Sequence, residues 1–276
     1  MPSGEELERL YGVFPWPEDL DSPAGRERLE RAVEAFRRVV RHPWVGELVG
    51  GGELSVVDVC GGTGIGGIAL ARALGELGAS VSLTVCDLRR EALERARRHG
   101  REALGVEVGV LRWDATRLHE AGVRADIALL YGLSTPHFSP YDMVRLMASL
   151  ARVLEPGGLL MVEESDRTYS LVVERGYRDV VPEYAGEERV VLTLHSGYDA
   201  LRGVVRRVAV ELPSMRMAGM EVRFWDIAST AALAWAFFGD VDFVALGGRR
   251  GVLLAREPRG IDPAGYSGYP SLLGEE

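Results

Sequence analysis

The chain has 276 residues, of which 47% are hydrophobic, so it can bury a sizeable core in one large domain or two small ones. Its net charge of −9 weighs against a large nucleic-acid surface, which usually needs a basic face. No apolar run approaches the ~20 residues of a membrane span. The acidic N-terminus also lacks the features of a signal peptide, so we expect a cytoplasmic protein with no membrane partner.

The residue types predict neither a disulfide framework nor a metal site. Cys60 and Cys86 each lie near the end of a predicted strand and fit buried free thiols, and the five histidines are dispersed. All 32 basic residues are arginine, and the chain has no lysine, asparagine or glutamine. Depletion of thermolabile amides fits a thermophile. The loss of lysine fits one less well, and GC-rich coding is the alternative explanation.

The chain opens with a helical arm over residues 1–50. A short first helix is followed by an aromatic, proline-rich link that carries Tyr11, Phe14 and Trp16. A stronger amphipathic helix begins at Ser22-Pro23, and His42-Pro43 ends it. The three aromatic side chains either form a lid over a ligand or staple the two helices together.

Strands alternate with helices from Leu54 onward, which predicts a parallel, doubly wound α/β sheet over residues 51–165 and 225–257. The predicted parallel strands are Leu54–Cys60, Val81–Cys86, Val106–Trp113, Ile127–Tyr131 and Leu159–Glu163. An inserted antiparallel β cap occupies 166–224, with strands Arg189–His195 and Val204–Leu212 and a third near Glu221–Phe224. The helix Ile227–Phe238, a closing hairpin of Val241–Leu246 with Gly251–Ala255, and an irregular tail (258–276) complete the chain.

The loop after the first strand predicts a nucleoside cofactor. It reads Val57-Asp58-Val59-Cys60-Gly61-Gly62-Thr63-Gly64-Ile65-Gly66-Gly67. Its glycines let a ligand approach the backbone closely at the carboxyl end of a parallel strand. The same residues satisfy the G-x-G-x-x-G dinucleotide pattern, with Asp87 at the spacing of a ribose-binding carboxylate. The loop alone does not choose between adenosylmethionine and NAD.

Four further features favour adenosylmethionine. Asp58 lies inside the first strand, near the ammonium group of an adenosylmethionine site, whereas the anionic pyrophosphate of NAD would be repelled there. Trp113-Asp114 ends the third strand, where a ring face and a carboxylate suit an adenine. A Leu-Glu-Pro-Gly-Gly turn over Leu154–Gly158 leads into the fifth strand. The last strand of the closing hairpin is expected to lie antiparallel at the edge of the sheet.

With these features, residues from about Leu54 to Glu164 and the closing segment to Ala255 resemble the class I S-adenosylmethionine-dependent methyltransferases. The family's usual loop is Asp-x-Gly-Cys-Gly-Thr-Gly, and here Cys60 stands in place of the first glycine and Gly61 in place of the cysteine. The resemblance implies a Rossmann-like, mostly parallel seven-stranded sheet and S-adenosyl-L-methionine as cofactor. It implies cofactor contacts at Asp58, Cys60, Gly61, Gly62, Thr63, Gly64, Asp87, Leu88, Trp113, Asp114, Tyr131 and Gly132.

Within that set, the resemblance implies that Asp87 binds both ribose hydroxyls and that Leu88 packs on the adenine. Trp113 and Asp114 would hold the face and edge of the adenine, each with a structural role as the alternative. The remaining pair, Tyr131 and Gly132, would border the methionine part of the cofactor.

The residues that could contact the methyl acceptor lie after the fourth strand and in the cap. His137 follows that strand and either acts as a general base for a phenol, an amine or a hydroxyl or is a wall residue. A carboxylate acceptor would need no base. The inserted sheet resembles the cap of some small-molecule methyltransferases, so we expect transfer to O or N of a small molecule. The candidate acceptor-contacting residues are Tyr11, His195, Tyr198, Arg223 and Trp225.

The sequence also allows two other functions. One is an NAD(P)-dependent oxidoreductase, and the other is a non-catalytic adenosylmethionine-binding scaffold that needs a partner subunit. No nucleic-acid partner is expected. A free edge strand of the cap would allow two copies to pair as a homodimer.

Overall fold

A computed structural model describes residues 2–14, 16–50 and 52–274 as two β-sheets with helices on both faces of the larger sheet. The α-helices are α1 (Gly4–Val13), α2 (Pro23–Val39), α3 (Pro43–Val49), α4 (Ile65–Gly75), α5 (Arg90–Leu104), α6 (Pro140–Val153) and α7 (Ile227–Phe237). The strands are β1 (Glu53–Val59), β2 (Ser80–Asp87), β3 (Gly109–Arg112), β4 (Ala125–Leu130), β5 (Leu154–Ser165), β6 (Val180–Ala185), β7 (Val190–Asp199), β8 (Val204–Leu212), β9 (Arg216–Val222), β10 (Phe238–Gly247) and β11 (Arg250–Pro258). Residues 1, 15, 51 and 275–276 of the predicted arm, sheet domain and tail lie outside the described residues.

The larger sheet has the strand order β10-β11-β5-β4-β1-β2-β3. Strands β1 to β5 run parallel, whereas β11 lies antiparallel to both β5 and β10. The predicted doubly wound, mostly parallel seven-stranded sheet is therefore confirmed. The last strand, β11, lies inside the sheet and not at its edge as expected, because β10 pairs with its outer side. The chain winds outward in opposite directions from β1 and β4, so the carboxyl ends of these two strands border the crevice where such sheets bind ligands.

Helices cover both faces of this sheet, which is why its central strands are apolar on both sides. On one face, Phe36 of α2 and Ile68 of α4 pack in a layer that includes Tyr131, and the Phe36 and Tyr131 ring centres lie 5.0 Å apart. On the other face, Met143 of α6 and Phe237 of α7 belong to a second buried layer. Helix α2 of the predicted arm thus packs directly on the sheet beside the crevice.

Several element boundaries differ from the sequence-based expectations. Helix α2 ends at Val39, and Pro43 begins an additional helix, α3, because His42 caps it by accepting a hydrogen bond from the Trp44 N–H at 3.3 Å. Proline suits the first position of a helix, where no N–H donor is needed. Strand β5 begins at Leu154, five residues earlier than expected, because Leu154 already pairs with Ala125 of β4.

The smaller sheet, the cap sheet, has the order β6-β7-β8-β9 with antiparallel pairing throughout. Strand β6 was not expected, because Pro182 lies within it and proline disfavours strands. It is an edge strand with an irregular register at that proline, where the missing N–H is tolerated. The first helix, α1, packs on the cap sheet through a small apolar cluster that includes Leu10, Val13, Ala209 and Ala218.

The C-terminal tail returns to α6, where the Tyr269 hydroxyl donates to the Asp142 carboxylate at 2.5 Å. Among the described residues, every helix is too short or too polar to span a bilayer. The same residues contain no group of three or more His, Cys, Asp or Glu side chains arranged to hold a metal ion.

Candidate active site

The loop that joins β1 to α4 is built around Asp58. This carboxylate is fully buried, and its Oδ2 accepts a hydrogen bond from the Gly67 N–H at 2.7 Å. A Cβ atom would lie 2.6 Å from the Asp58 Cγ if added at Gly61 and 2.9 Å from its Cβ if added at Gly67, so both positions need glycine. Cys60 has a left-handed backbone (φ 55°), the conformation that glycine adopts most readily. Cys60 thus holds the chain in a turn that a glycine would form without strain.

The second carboxylate oxygen of Asp58, Oδ1, is buried and has no hydrogen-bond partner among the described residues. Burial raises the pKa of Asp58 to about 7, against the lowering effect of the Gly67 hydrogen bond. A buried acceptor without a partner is unfavourable, and an ammonium group would satisfy it. The site therefore fits the ammonium group of adenosylmethionine at this residue.

Asp87 ends β2 beside this loop. Its Oδ2 accepts from the Gly62 N–H at 2.8 Å, and its Oδ1 accepts from the Arg89 N–H, also at 2.8 Å. The carboxylate is largely buried and links the glycine loop to the start of α5. Asp87 lies at the carboxyl end of its strand, on the side of the crevice where the ribose contact was expected.

The residues expected at the adenine lie beyond the end of β3. Leu88 and Trp113 line the same small cavity of about 50 Å³. The Trp113 side chain is 36% exposed, and its indole N–H donates to the Arg117 carbonyl at 2.9 Å. Asp114 accepts hydrogen bonds from both the N–H and the hydroxyl of Thr116 at 2.8 Å. The Asp114 carboxylate thus caps the turn that follows it. Of these two neighbouring residues, Trp113 is the one that lines the cavity.

Tyr11, Glu18 and Arg89 form a group over the glycine loop that we call the Arg89 cluster. The Arg89 guanidinium donates two hydrogen bonds to the Glu18 carboxylate, at 3.0 and 3.1 Å, and its carbon lies 4.0 Å from the centre of the Tyr11 ring. A Cβ atom at Gly62 would lie 2.5 Å from the Arg89 Nη2, so the guanidinium fills the space above that glycine. The Thr63 hydroxyl donates to the Glu18 carbonyl at 2.6 Å, which holds the arm on the loop.

The Arg89 cluster separates two small cavities in the crevice. The cavity beside Leu88 and Trp113 has a volume of about 50 Å³, and the cavity beside Gly66 and Tyr131 has a volume of about 30 Å³. Pockets for small-molecule ligands usually span about 300–1,000 Å³. A ligand the size of a nucleoside therefore requires Arg89 or the arm to move.

His99 of α5 is a second link between the arm and the loop. It is fully buried, its Nε2 accepts from the Leu20 N–H at 3.3 Å, and its Nδ1 lies 3.1 Å from the Thr63 carbonyl oxygen. The Nε2 also lies 3.4 Å from the Asp19 carboxylate, so three contacts tie this histidine to the arm and the loop. Sequence reasoning missed His99, Glu18 and Arg89, because a strongly charged helix and an acidic linker have the pattern of solvent-exposed segments.

Arg28 of α2 reaches the carboxyl end of β4. A Cβ atom at Gly132 would lie 3.0 Å from the Arg28 Nη2, and the guanidinium lines a cavity of about 490 Å³ beside that glycine. Arg28 donates to the Pro17 carbonyl at 3.3 Å and stacks 4.9 Å from the Trp16 ring centre, with no carboxylate in ion-pair distance among the described residues. A cation here suits the carboxylate of a bound methionine group, and no sequence pattern had marked it.

Two carboxylates at the end of β5 hold the segment that follows β4. Glu163 is buried, accepts from the Gly132 N–H at 2.8 Å and pairs with Arg250. Glu164 is also buried and accepts from the Thr135 hydroxyl at 3.2 Å. Because both carboxylates come from a strand in the centre of the sheet, the segment after β4 has a firm support.

A fourth cavity, the cap cavity, lies between α1 and the cap sheet and has a volume of about 520 Å³. Its walls include Arg9 of α1 and Met220 of β9, and it reaches His137. His137 also lines the cavity of about 50 Å³ beside Trp113 and Leu88. This histidine is therefore a common wall of the cofactor crevice and the cap cavity.

The chemistry of His137 follows from its surroundings. Burial lowers its pKa to about 4, and the positive charges of Arg89 and Arg167 act in the same direction. The imidazole is thus neutral at pH 7 and available as a hydrogen-bond acceptor. Its Nε2 lies 3.3 Å from the Tyr11 hydroxyl, and burial raises the pKa of Tyr11 to about 12, so this phenol keeps its proton.

The five side chains expected to contact the acceptor do not come together. Tyr11 lies against His137 and lines both small cavities of the crevice. His195 and Tyr198 are on exposed parts of the cap sheet, where the His195 Nδ1 lies 2.7 Å from the Tyr177 hydroxyl and Tyr198 is 57% exposed. Neither of these two cap residues is among the described walls of the cap cavity.

Arg223 and Trp225 support the segment around His137 from outside the cap cavity. The Arg223 N–H donates to the Pro136 carbonyl at 2.9 Å, and the buried Trp225 donates its indole N–H to the Phe138 carbonyl at 3.1 Å. These bonds fix the backbone on both sides of the histidine. Both residues thus act on its position, whereas the sequence interpretation had put them in the acceptor pocket.

Comparison with known proteins adds a family match to this geometry. A family model described as a methyltransferase domain matches residues 56–158, which span the glycine loop, Asp87 and His137. No curated protein matches the chain. The match favours a methyltransferase over the oxidoreductase that the loop alone had allowed.

Solved structures share the fold at low sequence identity. The PH0226 protein from Pyrococcus horikoshii OT3 is 18% identical with a TM-score of 0.60, covering 91% of this chain and 98% of that one. The CcbJ methyltransferase from Streptomyces caelestis is 15% identical with a TM-score of 0.58, covering 81% and 89%. An S-adenosylmethionine-dependent methyltransferase from Clostridium acetobutylicum ATCC 824 is 16% identical with a TM-score of 0.56, covering 75% and 84%. At these identities the likeness establishes the fold.

Proposed function

We propose that the chain is a class I S-adenosylmethionine-dependent methyltransferase and that it transfers a methyl group to an oxygen or nitrogen of a small molecule. The match of residues 56–158 to a methyltransferase domain supports the first part of this proposal. The observation that carries this proposal is the position of His137 as a common wall of two cavities. One cavity adjoins the glycine loop, and the other, of about 520 Å³, is large enough for a metabolite. A methyl donor and its acceptor would meet at that wall.

The residues around the crevice suit S-adenosylmethionine part by part. When bound, this cofactor supplies a methyl group that is already activated by a positively charged sulfur. We assign its ammonium group to Asp58, its carboxylate to Arg28, its ribose hydroxyls to Asp87, and its adenine to Leu88 and Trp113. The other proposed contacts are Cys60, Gly61, Gly62, Thr63, Gly64, Asp114, Tyr131 and Gly132.

We assign to His137 the role of orienting the acceptor. A neutral imidazole accepts a hydrogen bond from an O–H or N–H group, and holding the nucleophile in line accounts for much of the catalysis of such a transfer. A pKa of about 4 makes His137 a weak general base, because the best base has a pKa near the working pH. The acceptor's proton then leaves to His137 or to water as the new bond forms.

Replacing His137 with alanine is expected to lower kcat about tenfold to a hundredfold while leaving the Kd of adenosylmethionine within about twofold. The wild-type rate should show no break between pH 5.5 and 7.5 that is due to His137, because its pKa is about 4. Initial rates of methyl transfer across pH measure both effects. A break near pH 6.5 that the variant lacks would contradict the lowered pKa, and unchanged turnover would remove His137 from catalysis.

Binding of adenosylmethionine is expected to release about half a proton at pH 7, because Asp58 has a pKa of about 7 and a neighbouring ammonium group lowers it. Calorimetry in buffers of different ionisation enthalpy measures this release. Asp58→Asn should abolish it. Proton uptake, or equal release by a variant that still binds, would contradict the assignment.

The same carboxyl should also be visible in the ligand-free protein. Its folded-state pKa lies above the value of the unfolded chain, so its stabilising contribution is complete below pH 4 and is lost as pH rises through about 7. The unfolding free energy of the wild type should therefore fall between pH 5 and 8 by about 2–3 kcal/mol more than that of Asp58→Asn. Equal pH dependence of the two proteins would exclude the raised pKa.

The function itself is tested by binding and turnover. Calorimetry should detect binding of adenosylmethionine and adenosylhomocysteine, and a radiolabelled methyl donor should label at least one compound in a library of hydroxyl- and amine-containing metabolites. Tight binding of NAD without binding of adenosylmethionine would overturn the proposal. Cofactor binding without any methylated metabolite would favour the scaffold alternative, and labelling of only protein or RNA would favour a macromolecular acceptor.

The proposed assembly divides the chain into an arm (1–50), a sheet domain (51–165 and 225–257), a cap (166–224) and a tail (258–276). A homodimer would form through β6 or β9, the edge strands of the cap sheet. Analytical ultracentrifugation tests this pairing, because a proline placed in one edge strand should dissociate the dimer without loss of the folded monomer.

A further inference from the structure

We propose that the cap cavity receives an anionic acceptor, a small molecule that carries a carboxylate or another oxyanion in addition to the group that is methylated. This inference rests on the proposed function and deepens it, because it names a substrate class for the same site. It is carried by the charges in the cavity wall and by the partners that those charges have.

The cavity wall is basic in an acidic protein. Its charged residues are Arg9, Arg202, Arg206, Arg207, Glu6 and Glu221, whereas the whole chain has a net charge of −9. A concave site lined by one sign of charge concentrates ligands of the opposite sign, even when the net charge of the protein repels them. Arg206 is paired with both the Asp199 and the Glu221 carboxylates, so the positive charge that points to an anion is carried by Arg9 and Arg207.

Both acidic groups of the wall already have partners. The Glu6 carboxylate accepts from the Ser3 N–H at 2.7 Å and from the Ser3 hydroxyl at 2.9 Å, as part of the cap of α1. The Glu221 carboxylate accepts from Arg206 at 3.1 Å. Neither carboxylate is held against Arg9 or Arg207, so neither cancels their charge by direct pairing.

Arg207 is a buried cation with neutral partners. It is 4% exposed, and its guanidinium donates to the hydroxyl and carbonyl of Thr193, to the Tyr177 hydroxyl and to two further backbone carbonyls. Glu183 accepts from the Thr193 hydroxyl at 2.7 Å, but no carboxylate lies in ion-pair distance of Arg207 among the described residues. A charge buried without a counter-ion produces a strong local potential, which a ligand anion in the cavity would offset.

Arg9 supplies a cation that can reach the ligand. It is exposed on α1 and lines the cavity. The Glu6 carboxylate, one helical turn earlier, attracts it electrostatically, but the described residues place no carboxylate within ion-pair distance of Arg9 and no acceptor within hydrogen-bond distance. An arginine fork binds a carboxylate or phosphate with two parallel hydrogen bonds. Since the same cavity reaches His137, an acceptor held by Arg9 would present its other end to the site of methyl transfer.

A cationic or neutral acceptor fits this wall less well. A cation would be repelled by the uncompensated Arg207, and a neutral molecule would leave that charge without an offset. An anion therefore gains binding energy that its uncharged analogue lacks.

The test compares acids with their amides. Carboxylates of aromatic and aliphatic frameworks, each paired with its primary amide, are titrated into the full chain with and without adenosylhomocysteine, and binding is followed by ligand-observed NMR. The proteins are the wild type, Arg9→Gln and Arg97→Gln, where Arg97 is an exposed arginine of α5 away from the cap cavity. Methyl transfer from adenosylmethionine to the compounds that bind is measured in parallel.

At least one acid should bind about ten times more tightly than its amide, as expected for a charge-assisted, bidentate contact. Arg9→Gln should weaken that acid about fivefold to tenfold and leave the amide unchanged, while Arg97→Gln should match the wild type. The inference is overturned if no acid binds better than its amide, or if the preference persists in Arg9→Gln.

The two proposals fail separately in this design. A preference for acids that Arg9→Gln removes would support the anion site even if no acid were methylated, which would count against the methyltransferase reaction on small molecules. A methylated neutral acceptor together with no preference for acids would support that reaction and sink the anion site.

Discussion

Replacing Gly67 with alanine is expected to lower the unfolding free energy by about 2–4 kcal/mol. The added Cβ would lie 2.6 Å from the Leu83 Cδ1 and 2.9 Å from the Asp58 Cβ, distances that force one of the elements apart. The shift would also break the hydrogen bond from the Gly67 N–H to the buried Asp58 carboxylate. Denaturant unfolding at pH 7 measures the loss.

Gly75→Ala is the matched control for this change. Gly75 lies at the other end of α4, and a Cβ there would meet nothing within 4 Å. Alanine at that position should raise stability by about 0.5–1 kcal/mol, because it reduces the freedom of the unfolded chain. If both variants unfolded at the same denaturant concentration as the wild type, the prediction that Gly67 is too tightly packed for a Cβ atom would be contradicted.

Asp87→Ala is expected to weaken adenosylmethionine binding by about 1.5–3 kcal/mol, a factor of roughly 10 to 150. The change removes the carboxylate that we assign to the ribose hydroxyls. It also frees the Gly62 N–H, which the carboxylate now holds at 2.8 Å, so part of the loss would come from a less ordered loop. Calorimetric titration with adenosylhomocysteine gives the affinity.

Asp126→Ala distinguishes a specific effect from a general one. Asp126 also accepts hydrogen bonds at the end of a strand, from the Ser55 N–H at 2.8 Å and the Ser55 hydroxyl at 2.6 Å. These two residues lie at the amino ends of β4 and β1, away from the carboxyl ends where Asp87 lies. Its loss should cost stability and leave cofactor affinity unchanged. Equal affinity losses in the two variants, or none at Asp87, would remove Asp87 from the proposed site.

The larger sheet could be predicted because its signals are local. Alternating strands and helices, a glycine loop at residues 60–67 and a Pro-Gly-Gly turn each act within a short stretch of chain. The cap sheet was predicted in part, since β6 contains Pro182 and lacks a regular apolar pattern. An edge strand tolerates such a residue, but only the position of the strand in the sheet reveals that it is an edge.

The candidate site was harder to predict because its side chains meet across long sequence separations. Arg89 binds Glu18, 71 positions away, and the Tyr11 hydroxyl meets His137, 126 positions away. A charged residue at the start of a helix has the same local pattern whether it faces solvent or a ligand crevice. Trp225 was a candidate for the acceptor pocket on the sequence, and only the structure reveals that its indole N–H donates to the Phe138 carbonyl, 87 positions away.

The Arg89 cluster has a kinetic consequence. If the cluster must open before adenosylmethionine enters, the observed association rate is expected to level off at high ligand concentration at the rate of opening, instead of rising linearly. Helix α1 carries both Tyr11 of the cluster and Arg9 of the cap cavity. If the arm is the part that moves to admit the cofactor, the cap cavity would lose a wall, and closure of the arm would restore it. The two ligands would then add in a compulsory order, with the cofactor first and the acceptor second.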